Sequence, residues 1–240
     1  GSTDTTYVDF YPAKGKKMRR IQWFLTFLAD MLFGYKDYCM YRKAKLILRE
    51  KKFDAILCST FRTFPLKAAR MVARKHKLPL IVDLRDIIEQ YTGNEFIAHQ
   101  LPQMGGLEKS FTEWFRNKSL HTRNRILYKS SYVTTISPWH VETLKRYNSK
   151  IELIYNGYDP ELFYPEVIPT HHFTITYTGR ILSTAMRDPS LFLEALSLLI
   201  KDGSIHPTDC RVNWYTEEES REIISEEAEK FNLLSYMNFK

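Results

Sequence analysis

The sequence predicts an α/β protein built from two parallel-sheet halves, and three features of the 240-residue chain carry that expectation. From residue 40 onward, short β-rich runs alternate with helical stretches, the pattern of βαβ units. The short runs read as apolar on both faces, as strands covered by helices above and below do. A stretch bearing three prolines (159–170, DPELFYPEVIPT) interrupts the alternation, which then restarts. A domain line is therefore expected near 165–170, with a first half at 3–167 and a second at 168–240.

The elements follow in order. Residues 21–33 (IQWFLTFLADMLF) form a helix with a narrow polar stripe at Gln22, Thr26, Ala29 and Asp30. So apolar a helix is expected to be buried. Lys14, Lys16, Lys17, Arg19 and Arg20, directly ahead of it, support a second and compatible reading, a helix lying on an anionic membrane surface. A helix at 41–51 leads to a strand at 53–60 (FDAILCST), a helix at 65–76 and a strand at 78–83 (LPLIVD). A long helix at 106–129, a strand at 132–137 (YVTTIS) and a helix opening on Ser137-Pro138 come next. The strand at 150–155 (KIELIY) ends in Asn156-Gly157, a turn signal. Beyond the prolines lie a strand at 172–179 (HFTITYTG) and a helix at 188–203. Asp188 suits that helix's N-cap, Pro189 its first position and Gly203 its stop. A strand at 210–216, an acidic helix at 217–231 and the start of a further strand complete the chain.

Composition narrows the class. Hydrophobic residues at 44% and charged residues at 26% are ordinary for a globular chain and exclude disorder and collagen. Nine glycines are about half the usual ~7%. Phosphate-binding α/β proteins use glycines in their loops, so the scarcity either counts against that class or means that loops lie outside this chain. The leading Gly1-Ser2 reads as the remnant of a cleaved tag and is set aside. No apolar run reaches 18 residues, so no membrane-spanning helix is expected. Cys39, Cys58 and Cys210 are far apart and form no CxxC pair. Free thiols in a reducing, cytoplasmic setting fit them better than disulfides or a structural zinc. The net charge of +7 admits nucleic acid, an anionic membrane or an acidic substrate. Outside 14–20 the cations are scattered and no recognition motif is present, so nucleic acid is not an expected partner.

Open parallel sheets bind ligands at the carboxyl ends of their strands. Four places qualify. At Gly179-Arg180, with Arg187 ahead of a helix start, glycine permits close backbone approach and two guanidiniums can neutralise a diphosphate. Surface pairing of both arginines with Asp188 or Glu194 explains them equally well. Asp83-Leu84-Arg85-Asp86 places charges at a strand end, as substrate contacts or as a salt-bridged corner. Ser59-Thr60-Phe61-Arg62 offers hydroxyls and an arginine, which helix capping also explains. Ser137-Pro138-Trp139-His140 reads as an N-cap and first-position proline, with His140 as a weaker contact candidate. No G-x-G-x-x-G, Walker lysine loop, G-x-S-x-G, H-E-x-x-H or D-x-D is present, and His171-His172 is not spaced for a shared metal. No metal site is expected.

Three stretches, in order, resemble retaining glycosyltransferase family four. VTTISPWHVETLKRYNSKIELIYNGYDPELF (133–163) is similar to that family's helix and "iPNGvD…F" run. FTITYTGRILSTAMRDPSLFLEALSLL (173–199) resembles its donor-half strand, "GR" turn and first helix. FDAILCSTFRTFPLKAARMVARKHKLPLIVDLRD (53–86) is similar to the late acceptor half of members with "D-x-R-D". The resemblance implies two Rossmann-like parallel-sheet halves of GT-B type, both incomplete here. It implies that Gly179 and Arg180 bind the donor diphosphate. The family's following lysine is absent, and Arg187 is the cation left to replace it. Asp86 falls near the family's catalytic-site His or Asp, with Arg85, Ser59 and His140 as further substrate contacts. Asn156 and Gly157 match the hinge-proximal turn. The glycine-rich loop, first strands and Glu-x7-Glu of the family are missing, so the chain reads as an internal piece not expected to turn over alone. The implied activity moves a sugar from a nucleoside diphosphate sugar to an acceptor hydroxyl, with retention and without a metal or cofactor. The implied partners are the nucleotide sugar, a sugar or lipid-linked acceptor and, through 14–33, an anionic membrane surface. The implied place is the cytoplasm, peripherally on the inner membrane face, in surface polysaccharide or lipopolysaccharide synthesis. The alternative is a non-catalytic sugar-nucleotide or protein binding module with a decayed fold.

Overall fold

The structure, a computed structural model, describes residues 4–91, 93, 96–97, 106–166, 169–181, 184, 187–206 and 208–240. The chain divides into two units, Gly1–Gly157 and Tyr158–Lys240. The proline-bearing stretch expected to mark the boundary falls on the second unit's side of that division.

The first unit opens with two helices, α1 (Lys16–Phe33) and α2 (Tyr35–Glu50). Gly34 between them has φ 70°, a left-handed conformation that glycine adopts without strain, and it ends α1. The Asp30 carboxylate accepts the Lys36 N–H at 2.8 Å and so starts α2 six residues ahead of the expected position. α1 also begins early, so Lys16, Lys17, Arg19 and Arg20 lie in its first turns instead of ahead of it.

The burial expected for α1 is not what the structure shows: Thr26 is its only buried residue. The polar stripe is the side the protein uses. Gln22 accepts the Ala13 N–H, Thr26 is covered and Asp30 caps α2. With those positions turned inward, Met18, Ile21, Phe24, Leu25, Leu32 and Phe33 are left facing out.

Four parallel strands follow, β1 (Ile56–Thr60), β2 (Leu80–Leu84), β3 (Tyr132–Thr135) and β4 (Ile151–Leu153), in the spatial order β1-β2-β3-β4. Their connections carry α3 (Leu66–His76), α4 (Glu108–Tyr128) and α5 (Pro138–Leu144), and a 3-10 turn at Ile88–Gln90 follows β2. Cys58, Leu80, Val82, Leu84 and Val133 project from the sheet onto Leu66, Ala73, Ile126, Leu127 and Leu144 of the helices. Asp37 of α2 reaches into this core, and its carboxylate accepts the Ala68 N–H at the start of α3 at 2.9 Å.

Among the described residues, one sheet face is covered in this way. Leu57 and Tyr132, on the other face, are 68% and 47% exposed. The reading of the strands as covered above and below is therefore corrected. Right-handed crossovers between strands that neighbour in sequence order place every connecting helix on the same side.

The second unit repeats the plan with β5 (Phe173–Thr178), α6 (Ser190–Lys201), β6 (Cys210–Tyr215), α7 (Glu218–Lys230) and β7 (Met237–Phe239), ordered β5-β6-β7 and parallel. Cys210, Val212 and Trp214 of β6 meet Leu193, Leu196, Ile224 and Ala228, while Arg211, Asn213 and Tyr215 alternate to the other face. Asp188 caps α6 from one position further out than expected. Its carboxylate accepts the Ser190 N–H at 2.9 Å, and Pro189 stands just outside the helix. Gly203, at φ 79°, follows the last turn.

Candidate functional site

In the first unit, the polar residues gather at the carboxyl end of the sheet, on the face without helices. Parallel register aligns Ser59, Asp83 and Thr134 across three neighbouring strands. The Ser59 hydroxyl donates to Asp83 Oδ2 at 2.7 Å and the Thr134 hydroxyl donates to Asp83 Oδ1 at 2.8 Å. Asp83 is thus the hub, and Arg85 adds a loose ion pair at 3.9 Å. Arg85 also donates to the Asn156 side chain, which joins the ends of β2 and β4. Neither hydroxyl caps α3: Ser59 is engaged by Asp83, and Thr60 closes a local turn by donating to Phe64 O at 2.8 Å.

Asp86 heads a second chain of contacts. Its Oδ1 accepts from Gln90 Nε2 at 2.9 Å, and Gln90 Oε1 lies 3.2 Å from His140 Nε2. His140 Nδ1 is 2.9 Å from the buried Thr135 hydroxyl, which donates to Leu84 O at 2.9 Å. Thr135 has one hydrogen, so Nδ1 must carry the proton in its own contact. With the Gln90 amide donating to Asp86, every contact in the chain is satisfied only when His140 Nε2 is protonated as well. Burial opposes that charge and lowers the His140 pKa, while Asp86 and Glu89 pull it back up. His140 is 5% exposed and lies behind Gln90, so any influence it has on a ligand passes through Gln90 and Asp86. Ser137 stands at the N-cap position of α5 but makes no side-chain cap bond.

Two arginines of α4 hold this loop in place. Arg123, fully buried, grips Glu89 with two bonds of 2.6 Å. Burial pushes the Glu89 carboxyl up, but the bonds and charge of Arg123 outweigh it and hold the group below its usual range. Arg116 donates to Ile88 O, Tyr91 O and Gly93 O at 3.1, 2.6 and 2.9 Å. These arginines had no motif to mark them. Gln90 did have a signal, four residues from Asp86, and the central part of Asp83 follows only from register.

In the second unit, Gly179 ends β5 at φ 145°. A side chain there would be strained, and its Cβ would stand 3.2 Å from the Tyr177 hydroxyl. Arg180 pairs with Glu217 at 2.8 Å, in an exposed bridge. Arg187 donates to the Tyr177 hydroxyl at 3.1 Å and to Arg180 O at 3.2 Å. Neither arginine is paired with Asp188 or Glu194. Ser220 of α7, buried, accepts the Ile181 N–H at 2.9 Å and fixes the turn. The Arg187 guanidinium therefore stands beside the glycine turn, the guanidinium of the adjoining Arg180 is held by Glu217, and Asp188 occupies one N–H of the α6 start. Of the stretch where the family's lysine is missing, 183, 185 and 186 lie outside the described residues.

Among the described residues, no three His, Cys, Asp or Glu side chains stand together as a metal site, and no helix is long and apolar enough to cross a membrane. No curated protein sequence matches the chain. Two of the solved structures that share its fold serve as examples. The lipopolysaccharide outer core galactosyltransferase WaaB, in its apo form, superposes with a TM-score of 0.52 at 10% identity, over 87% of this chain and 49% of that one. TarM superposes with a TM-score of 0.50 at 13% identity, over 85% of this chain and 36% of that one. The chain thus spans less than half the length of either. Both halves have the parallel α/β plan of GT-B proteins. The sequence profile named Glycosyltransferase Family 4 matches residues 16–162, more than half of the chain, so this chain belongs to Glycosyltransferase Family 4.

Proposed function

We propose that the protein carrying this chain transfers a sugar from a nucleoside diphosphate sugar to a hydroxyl of a sugar or lipid-linked acceptor, with retention and without a metal or cofactor. The observation that carries the reading is the glycine turn at the end of β5, where Arg180 and Arg187 flank Gly179 in a chain of this family. As the bond from the anomeric carbon to the diphosphate oxygen breaks, negative charge builds on the leaving group. Two guanidiniums placed beforehand stabilise that charge more than they stabilise the bound donor. The exposed Glu217 bridge to Arg180 is weak and gives way to a phosphate.

Asp86 orients the acceptor or the reacting sugar. Its carboxylate is held by Gln90, and the loop behind it is fixed by Arg116 and Arg123. Arg85 and Ser59 supply further polar contacts, and Asn156-Gly157 form the hinge-proximal turn. The setting we propose is surface polysaccharide or lipopolysaccharide assembly in the cytoplasm, supported by the fold shared with WaaB, a lipopolysaccharide outer core galactosyltransferase.

The test is nucleoside diphosphate binding followed by saturation-transfer NMR, with UDP, GDP and ADP in turn. Arg180→Gln with Arg187→Gln should weaken binding about tenfold to a hundredfold, the scale of lost charge-assisted bonds. EDTA should change nothing. Binding that survives both substitutions rules out this turn as the diphosphate site. Tight binding with no transfer to any hydroxyl acceptor by the full protein that carries this chain leaves the non-catalytic binding module in its place.

A further inference from the structure

We infer that the Gln90 carboxamide and the Asp86 carboxylate together form an acceptor subsite for a vicinal diol, the pair of neighbouring hydroxyls on a sugar ring. The inference rests on the sugar-transfer reading for calling the diol an acceptor, and on the loop after β2 for its geometry. Gln90 is exposed, yet its side chain is held on both sides. Its Oε1 accepts the Ile87 N–H at 3.4 Å and faces His140 Nε2 at 3.2 Å, while its Nε2 donates to Asp86 Oδ1 at 2.9 Å. A backbone N–H only donates and an ionised carboxylate only accepts, so these partners fix which way round the carboxamide stands. One Nε2 hydrogen of Gln90 and Oδ2 of Asp86 are left without a partner among the described residues. A donor and an acceptor therefore stand side by side at the carboxyl end of β2, where parallel sheets bind ligands.

The pairing selects the ligand. Two neighbouring ring hydroxyls complement it, one donating to Asp86 Oδ2 and the other accepting from Gln90 Nε2. An isolated hydroxyl fills only one of the two positions, and an anionic group at the same place is repelled by Asp86. The subsite is also set before a ligand arrives. Arg116 donates to the carbonyls of Ile88, Tyr91 and Gly93, and the buried Arg123 grips Glu89, so the backbone on either side of Gln90 is tied down. A glutamine loses much rotamer freedom when it is immobilised on binding, and here the fold has already removed that freedom. Capping the Ile87 N–H needs only the inward oxygen, which a glutamate would supply equally, so a purely structural cap does not account for the outward amino group.

Nitrogen-15 NMR of the 240-residue chain tests the assignment. The probes are cis- and trans-cyclohexane-1,2-diol against cyclohexane-1,4-diol, which carry the same two hydroxyls and differ in whether these are neighbours. The Gln90 side-chain amide and the Asp86 backbone N–H should shift with a 1,2-diol at about threefold to tenfold lower concentration than with the 1,4-diol, the scale of one neutral hydrogen bond. Gln90→Glu keeps an inward oxygen and replaces the outward donor with an acceptor, and Gln90→Met removes both. Each should bring the 1,2-diol response, read at the Asp86 N–H, down to the level of the 1,4-diol, with the sheet resonances retained. Equal response to the 1,2- and 1,4-diols overturns diol recognition. A 1,2-diol response unchanged in Gln90→Glu overturns the part given to the amino group, and no response to any probe rejects the subsite. The sugar-transfer reading fails separately, in the nucleoside diphosphate test at Gly179. A chain that prefers a 1,2-diol but binds no diphosphate keeps the diol subsite and loses its assignment to an acceptor.

Discussion

Asp37 is the residue whose chemistry differs most from its ordinary behaviour. Burial raises its pKa from 3.8 to about 6, against the Ala68 and Lys67 N–H groups and the Lys67 charge, with Asp30 adding to the rise. The folded state therefore binds this proton more tightly than the unfolded chain. The resulting stability is fully present below about pH 4 and is lost as pH rises through 6, on the order of 3 kcal/mol. Asp37→Asn keeps an oxygen for the Ala68 N–H and removes the buried charge. In urea titrations, the difference between variant and parent should favour Asn at pH 7.5 and shrink towards pH 4.5. A difference independent of pH would show that the carboxylate is not desolvated. The His140 network makes a second prediction. Asp86→Asn removes a charge that raises the His140 pKa, so its imidazole titration, followed by NMR, should move lower still. An unmoved titration would mean that the Gln90 link does not transmit the charge. At Gly179, alanine should cost about 1–2 kcal/mol of second-unit stability in the absence of any ligand, because the strain is in the backbone. Cys58 is buried with its thiol pushed up to about 11, and Cys210 is buried too, so the half-buried Cys39 should be alkylated first.

At the scale of elements, α4 is the support for the loop after β2. Arg123 and Glu89 form a bidentate pair in which the arginine has no access to water, so removing either partner strands the other. Glu89→Gln should lower first-unit stability by about 3 kcal/mol in urea unfolding, because it leaves the water-excluded Arg123 charge uncompensated, and Arg123→Met by less, because the Glu89 left behind keeps some contact with solvent. Equal stability in both variants would mean that the pair contributes nothing net. β2 shows how an element joins core and site. Leu80, Val82 and Leu84 anchor it among the helices, and the pleat then sends Asp83 to the open face, between Ser59 and Thr134.

Among the described residues the buried hydrophobic clusters fall within one unit or the other, two in the first and one in the second. Unfolding should therefore proceed in two transitions. Trp214 reports the second unit, while Trp23, Trp114 and Trp139 lie in the first. In Trp214→Phe, the fluorescence change of one transition should disappear and the other should remain. A single transition reported alike by fluorescence and circular dichroism would count against separate stability.

The alternation of strands and helices, the restart after the prolines and the glycine turn before Arg180 were all legible in the chain, because each depends on neighbours within a few residues. The same holds for the Asp188 cap, which moved by one position without changing its role. What the sequence could not decide was which side of α1 faces inward. Hydropathy favours burying the apolar side, but Gln22, Thr26 and Asp30 find hydrogen-bond and packing partners elsewhere in the unit, and those partners appear only once the chain has folded. Sheet coverage was misjudged for a related reason. It depends on strand order, and sequential order puts every crossover on one side. Asp83 and Arg123 likewise acquire their parts from register and burial, through partners 24, 51 and 34 positions away in the chain. Local periodicity determined the elements, and the resemblance of three stretches pointed to the family, while the assignment of charges to partners waited for tertiary structure, because a hydrogen bond's partner is set by distance in space.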